Sequence, residues 1–582
     1  MMHFFKEKLA SALSPMVAVD ATTLQDWIEI PPDKQLGDLA FPCFQLAKSM
    51  RKSPQAIASE LAPKLDTEPF ISKSEAVGPY VNVHLNRKEA VSYWITQMQE
   101  NLDFFTSNGG QNQAVAIDLS SPNIAKPFSM GHLRSTIIGT ALANLLESDG
   151  YQVFRINHLG DWGTQFGKII VAYHRYGEVE AIKKHPIQEL NALYVRFHEE
   201  AETNPALEDE GRAAFKRLED GDEATLDLWR WMVSVSMEEF NRTYAMLGTR
   251  FTHVLGESFY NDKMDSVVKE LSEKHLLTTS EGAEVVMLEE ENLPPCLIRK
   301  SDGATLYATR DLAAALYRYR DLGATSLWYV VGGEQRLHFQ QLFAVLTRMG
   351  YSFAKDCRHI AFGLMKIGGK KMSTRKGQIV RLQEVLDEAV RRAREIIDEK
   401  NPGLKSADAT AKAIGVGAVI FNDLKTHRIH EINFSLEQAV AFEGETGPYV
   451  QYTHARACSL LRKAGLLTGN ESTNEWVTFT LNSSIDIAEI AAYEWDDVTY
   501  ELVKTLSYYS SVRQRAIDDS DPSQIAKFVL DAAQAFNRFY HDVPILSASD
   551  QDRRLRLVLV DATRITILRA LKILGLECPV EI

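Results

Sequence analysis

Residues Ala114–Gly139 read AVAIDLSSPNIAKPFSMGHLRSTIIG. The opening Ala114-Val115-Ala116-Ile117 is a short, unbroken apolar run, the pattern of a strand buried on both faces of a parallel sheet. Ser120-Ser121-Pro122-Asn123 stops it. From Gly131-His132 onward Leu133, Ile137, Ile138, Ala141 and Leu145 recur at helical spacing. The stretch therefore reads as strand, loop and helix start. A loop delivered onto a helix N-terminus suits phosphate, because the unpaired N–H groups of the first turn and the helix dipole both attract negative charge. Asn123, Lys126, Ser129 and His132 bring hydrogen-bond donors and a cation to this one small surface.

Downstream, Tyr151–Asn157 reads as a second strand, followed by the Gly160-Asp161-Trp162-Gly163-Thr164-Gln165-Phe166-Gly167 turn and another helical run. Two successive β-α units argue for a doubly wound, Rossmann-like parallel sheet with its ligand beyond the strands' carboxyl ends. Glycines 160, 163 and 167 either admit a nucleotide or let the helix pack on the sheet, and packing is the slightly favoured reading. Residues 178–250 are charged and helical, as expected of an insertion between halves of the fold. Tyr307 and Asp311 lead into the helical Leu312–Leu316. Leu327–Val331 is a further apolar strand ending in Gly332-Gly333, and His338 and Gln341 share one face of the helix after it.

The segment Gly368-Gly369-Lys370-Lys371-Met372-Ser373-Thr374-Arg375-Lys376-Gly377 is a second phosphate element, since four cations, two hydroxyls and three glycines can wrap polyphosphate. Beyond residue 380 the chain reads as wholly helical. Residues 1–110 read as a separate α+β domain, with a strand Tyr80–Leu85 entered through Gly78-Pro79 and a linker-like Ser107–Gln113 at its end. The expected division is thus 1–110, a catalytic domain 111–380 with its insertion at about 178–250, a helical connector 381–450, and an all-α domain 451–582.

A length of 582 residues implies three or four domains. Apolar and charged contents of 45% and 24% are those of an ordinary globular protein. The five cysteines never form a C-x-x-C pair, so neither structural zinc nor a disulfide framework is expected. The lack of a long apolar run or a signal-peptide pattern points to a cytoplasmic protein without membrane contact. A net charge of −14 counts mildly against a large nucleic-acid footprint, although a local basic face is sufficient for one.

Pro127-Phe128-Ser129-Met130-Gly131-His132-Leu133-Arg134 resembles the His-x-Gly-His signature of class I aminoacyl-tRNA synthetases, with Ser129 in place of the first histidine. Ser121–Phe128 and His158–Gln165 resemble the arginyl-tRNA synthetase family. Lys371-Met372-Ser373 resembles that class's second signature, with Thr374 and Arg375 replacing its usual last two residues and Lys126 placed to supply the missing charge. Gly37-Asp38-Leu39-Ala40-Phe41-Pro42 resembles the family's N-terminal domain, and Phe536–His541 with Leu571–Leu576 its helical anticodon-binding domain.

The resemblance implies a ligase that joins ATP and L-arginine into arginyl-adenylate and then passes arginine to the 3′-terminal adenosine of arginine tRNA. It implies Lys126, His132, Lys371 and Ser373 as catalytic residues, and Ser129, Gly131, His132, Gly332, Lys371, Met372 and Ser373 as the ATP site. Arginine would meet Asp118, Ser121, Asn123, Glu257, Tyr307, Asp311 and Gln341, and a carboxylate matches the planar fork of a guanidinium. Phe41, Tyr449, Arg538 and Tyr540 would contact tRNA. Mg²⁺ is expected to ride on ATP, the family expectation is a monomer, and the alternative is a non-catalytic, tRNA-binding regulatory paralogue.

Overall fold

The computed structural model describes residues 1–100, 108–301, 307–367, 370–371, 380–470, 475–478 and 487–582. The chain divides into two compact units. One comprises Met1–Thr106, Thr453–Val512 and Phe528–Leu568, and the other Ser107–Tyr452, Arg513–Lys527 and Arg569–Ile582.

The second unit is built on five parallel strands: Ala114–Asp118, Gln152–Asn157, His253–Val254, Ser326–Tyr329 and Arg358–His359. Their spatial order is third, second, first, fourth, fifth. Chain direction across the sheet therefore reverses between Ala114–Asp118 and Ser326–Tyr329, and a doubly wound sheet opens its ligand crevice at such a reversal. Every residue of Ala114–Asp118 is buried, as its unbroken apolar run requires. The helix Met130–Ser148 follows and buries Leu133, Ile137, Ile138, Ala141 and Leu145. Residues 178–250 fold as the helices Val179–Lys184, Pro186–Thr203, Ala206–Glu219 and Glu223–Leu247.

Two glycines answer the packing question. A Cβ at Gly167 would stand 2.1 Å from the Gly211 carbonyl oxygen, so this glycine lets the helix Thr164–Tyr176 pack against Ala206–Glu219. A Cβ at Gly160 would stand 2.3 Å from Asn123 Oδ1, so this one admits the signature loop.

The helical reading beyond 380 needs two amendments, a short strand after the connector helices and the hairpin Leu467–Asn470 with Glu475–Thr478 in the region expected to be all-α. Helices Leu382–Lys400 and Ala407–Leu424 are followed by a short strand, Ile432–Phe434, parallel to Met365–Ile367. Three residues are too few for a period to register. Met365–Ile367 also pairs antiparallel with Lys370–Lys371, at the start of the second signature.

The first unit holds a three-stranded antiparallel sheet in the order Leu39–Pro42, Tyr80–Leu85, Ile71–Val77. Its helices include Asp497–Ser507 and Ser523–Asp542, the second of which continues outside the unit, and a two-stranded hairpin, Leu467–Asn470 with Glu475–Thr478. Within this unit Lys504 Nζ lies 2.6 Å from Asp38, and both side chains are buried. Asp38 also accepts a hydrogen bond from the Leu85 N–H at 2.9 Å. A buried charge pair with a further hydrogen bond fixes relative geometry more than it adds stability.

Candidate active site

The loop after Ala114–Asp118 is held in a sparsely populated backbone conformation. Ser120, Ser121 and Ala125 have φ of +70°, +53° and +60°, and such clusters of strain persist only where surrounding contacts over-determine them. Those contacts come from the signature helix, whose Ser135 and Thr136 hydroxyls donate to Ser120, and from the insertion helix Glu223–Leu247. Its Tyr244 hydroxyl hydrogen-bonds Ser120 Oγ at 2.8 Å and accepts from Asn157 Nδ2 at 3.1 Å, tying two strand ends together. Ser236 Oγ accepts from the Ala125 N–H at 3.4 Å, and Trp229 Nε1 donates to the Asp161 carbonyl at 2.8 Å. Nothing in the local sequence announced this clamp; a helix some 100 residues away provides it.

Asn123 is exposed on this loop. The neighbouring Ile124 N–H donates to the Gly160 carbonyl, whose own N–H returns to Pro122. Ser129 caps the helix. Its backbone N–H donates to His132 Nδ1 at 3.1 Å, and its hydroxyl lies 3.2 Å from the same nitrogen. With Nδ1 accepting, neutral His132 carries its proton on Nε2 and is a donor there. Burial, and then the nearby Lys126 ammonium, push His132 down to about 4, so it stays neutral at physiological pH. The Lys126 ammonium itself lies 5.8 Å from the centre of the Tyr194 ring. Gly131 is exposed at the first turn and leaves room for a ligand to approach.

The segment behind the second signature reaches this loop. Met130 N–H donates to the Val380 carbonyl at 3.2 Å, and Leu382 N–H donates to the Phe128 carbonyl at 3.0 Å. Met372 and Ser373 lie outside the described residues, and Lys371 is described only by its backbone pairing with Lys366. Arg134, two residues after His132 and buried, donates to the carbonyls of Gly363 (2.6 Å) and His430 (2.9 Å) and pairs with Asp423. Burial pushes Asp423 up to about 6 against the pull of Arg134.

On the other side of the crevice, Tyr307 begins the helix Tyr307–Arg320 and is 66% exposed, one turn before Asp311. Asp311 Oδ2 lies 2.6 Å from His338 Nε2. Burial opposes ionisation of Asp311, but the hydrogen bond from His338 and the charges of His158, His338 and Arg318 outweigh it and hold the carboxyl below its usual range. His338 is raised, first by that same hydrogen bond. Glu257, 3.6 Å from Arg310, is pushed up to about 7 by burial. Two carboxyls with opposite shifts thus lie within electrostatic reach of one another, and perturbed groups of this kind mark a candidate functional site.

Three expected residues are engaged elsewhere. Asp118 Oδ2 accepts from Arg318 at 2.9 Å in a buried ion pair, so this carboxylate neutralises a core cation and is withdrawn from the guanidinium set. Gln341 Nε2 donates to the carbonyls of Pro294 (2.9 Å) and Pro295 (3.1 Å), which commits its amide to a loop. Gln335, which no sequence motif marks, ends the turn Gly333–Gln335 directly after Gly332, exposed and with its amide unpartnered among the described residues. Phe41 is fully buried in the first unit and is unavailable to tRNA. The exposed aromatic nearby is Phe44, edge-on to Tyr80 at 5.8 Å.

Phe536 and Phe539 are fully buried, whereas Tyr540 and Arg538 on the same helix are exposed. The Arg456 guanidinium lies 4.8 Å from the Tyr540 ring centre. Tyr449 is half-buried.

With this geometry in hand, residues 95–436 match the class I (R) tRNA synthetase catalytic domain, 450–582 the DALR anticodon-binding domain, and 3–85 the arginyl-tRNA synthetase N-terminal domain. The chain is 51% identical over 579 residues to the arginine–tRNA ligase of Exiguobacterium sibiricum, covering 99% of this chain and 100% of that protein. The chain belongs to the arginine–tRNA ligase family. Its match to the corresponding Enterococcus faecalis enzyme is also 51%, over 580 residues and 99% of each chain. The Thermus thermophilus arginyl-tRNA synthetase superposes with a TM-score of 0.78 at 26% identity, covering 100% of both chains.

Proposed function

We propose that this chain activates L-arginine with ATP, releasing pyrophosphate, and transfers the arginyl group from the adenylate to the 3′-terminal adenosine of arginine tRNA. The observation that carries the reading is the neutral His132, fixed as an Nε2–H donor at a helix N-terminus beside Lys126, across the reversal point of the sheet from the Asp311 and Glu257 carboxyls. Adenylate formation is phosphoryl-type chemistry that needs alignment and charge stabilisation more than a protein base. A neutral histidine can donate to a phosphate oxygen without first losing a proton.

In this reading Lys126, Ser129, Gly131, His132 and Gly332 receive ATP, with Lys371, Met372 and Ser373 at its leaving end by resemblance. Asp311 and Glu257 take the guanidinium with Tyr307 as its wall, while Ser121, Asn123 and Gln335 orient the α-amino and carboxylate groups. Mg²⁺ enters this reading as a companion of the ATP substrate, by resemblance. Arg538, Tyr540, Tyr449 and Phe44 are the tRNA contacts of this reading. The domain division 1–110, 111–380, 381–450 and 451–582 and a cytoplasmic monomer complete it.

The test is arginine-dependent exchange of labelled pyrophosphate into ATP, with and without tRNA, against lysine and citrulline. Exchange confined to arginine supports the reading; none under any condition, with tRNA still bound, would establish the non-catalytic paralogue instead.

A further inference from the structure

We propose that Arg134 is a positioning residue for adenylate formation, its buried guanidinium fixing the base of the second phosphate element at a set distance from His132. The inference rests on the arginine–tRNA ligase reading and adds to it a residue withdrawn from solvent and from the substrates.

An arginine is rarely buried, because its charge must be paired and its five donors satisfied. Arg134 stands two residues after His132 on the helix Met130–Ser148 and is 1% exposed. Its Nη1 donates to the Gly363 carbonyl at 2.6 Å and to the His430 carbonyl at 2.9 Å, and its Nε lies 3.1 Å from the equally buried Asp423. These partners are 229, 296 and 289 residues away along the chain. A rigid, planar fork can tie three such points at fixed spacing, whereas a lysine ammonium on its flexible stem cannot.

The two carbonyls belong to the segments that form the base of the second signature. Gly363 N–H donates to the Arg428 carbonyl at 2.9 Å, and Ile432 N–H donates to the Leu364 carbonyl at 3.0 Å. Met365–Ile367 then runs parallel to Ile432–Phe434 and pairs antiparallel with Lys370–Lys371. A Cβ on Gly363 would stand 2.7 Å from the His430 carbonyl group, so this glycine lets both carbonyls come within reach of one guanidinium. On the far side of the signature the chain is tied to the first-signature loop by the backbone bonds of Met130 with Val380 and of Leu382 with Phe128. The first signature thus holds the second at its entry and at its exit, and Arg134 is the side chain at the entry.

Donors from both signatures must meet one phosphate chain as pyrophosphate leaves, and a misplacement of about 1 Å can cost such a reaction about 100-fold. Arginine recognition draws on Asp311 and Glu257, which pair with His338 and Arg310 and not with Arg134. The two functions should therefore separate in kinetics.

The experiment is a double-mutant cycle on the full chain, with R134K and K371A singly and together, read by arginine-dependent pyrophosphate exchange with tRNA present. R134K keeps a charge opposite Asp423 and loses the fork. It is expected to lower kcat about 100-fold and to leave the arginine KM within about twofold. Because Arg134 acts through the second signature, the two kcat losses in the double variant should fall short of multiplying by at least about fivefold. Circular dichroism and thermal unfolding establish that each variant is folded. Where R134K is not, the same cycle is run with D423N, which is isosteric, leaves both carbonyl bonds in place and should lower kcat about tenfold. An unchanged kcat in the folded variant, losses that multiply, an arginine KM that rises as kcat falls, or a K371A change that is silent in the wild type would overturn the assignment. Wild-type chain without arginine-dependent exchange would instead overturn the functional reading, which separates the two failures.

Discussion

The two walls of the candidate crevice are held by opposite means. The signature-loop wall is fixed by backbone: left-handed residues, carbonyl contacts to Gly160, pairing with Val380–Leu382, and a histidine whose charge is removed by burial. The proposed guanidinium wall is held by ionisable side chains, with Asp311 against His338 and Glu257 pushed up to about 7 by burial. A triphosphate carries its own charge and needs placed donors, whereas an arginine side chain needs placed charge. The comparison predicts that one wall is insensitive to pH and intolerant of conformational change, and the other the reverse.

The largest expected effect is at Asp311. In Asp311→Asn the guanidinium loses its ionic partner in a partly desolvated site, at a cost of about 3–4 kcal/mol, so the arginine KM should rise roughly 10²–10³-fold with a smaller change in kcat. An unchanged arginine KM would remove Asp311 from the pocket. The complementary change, His132→Ala, removes a donor to the reacting phosphates and should lower kcat about 100-fold while leaving the arginine KM within about threefold. Equal effects of both variants on both constants would break the comparison.

Titration sharpens it. Glu257 must be ionised to accept a guanidinium, and a carboxyl raised to about 7 gains its charge as pH rises through that value. His338, raised above its ordinary value, loses its competing charge on Asp311 in the same direction. The apparent affinity for arginine should therefore improve about tenfold between pH 6 and 8. His132, lowered to about 4, remains neutral throughout, and the ATP KM should be flat across the same interval. The same raised carboxyl works against stability: Glu257 favours the folded state when protonated, and that contribution is lost as pH climbs from its unfolded value toward 7.

Tyr244→Phe probes what holds the backbone wall. It removes the hydroxyl that links Ser120 and Asn157 and leaves two buried polar groups short of a partner. A loss of about 2 kcal/mol in unfolding free energy is expected, with kcat reduced several-fold and the arginine KM little changed. Thermal unfolding and steady-state kinetics on one preparation check both.

Much of this was legible in the sequence for identifiable reasons. Ala114–Ile117 and Leu327–Val331 are apolar runs that suit only a doubly covered strand, and the helix after Gly131 repeats its apolar residues on schedule. What stayed hidden depends on partners far along the chain. Asp118 reads as an accessible acid at a strand end until Arg318, 200 residues later, is seen against it. Phe41 reads as an exposed aromatic in a motif, but its strand is covered on both sides. The Tyr244 clamp has no local signature, because a hydroxyl on an amphipathic helix carries no record of which loop it meets.

Gln341 makes the same point at the smallest scale. Helical spacing correctly put it on one face with His338, yet spacing cannot say what that face meets, and its amide is tied to the carbonyls of Pro294 and Pro295. Gln335, in the turn after Gly332, keeps its amide available at the carboxyl edge of the sheet. Gln341→Ala should therefore lower stability by about 1 kcal/mol and move the arginine KM by less than about twofold, because only a loop contact is lost. Gln335→Ala should do the opposite, raising the arginine KM about tenfold through one lost hydrogen bond to a charged group, with unfolding unchanged. If the two effects exchange places, the α-amino end of arginine lies against the helix face and not against the turn, and the substrate must sit further from the reversal of the sheet than the guanidinium wall requires.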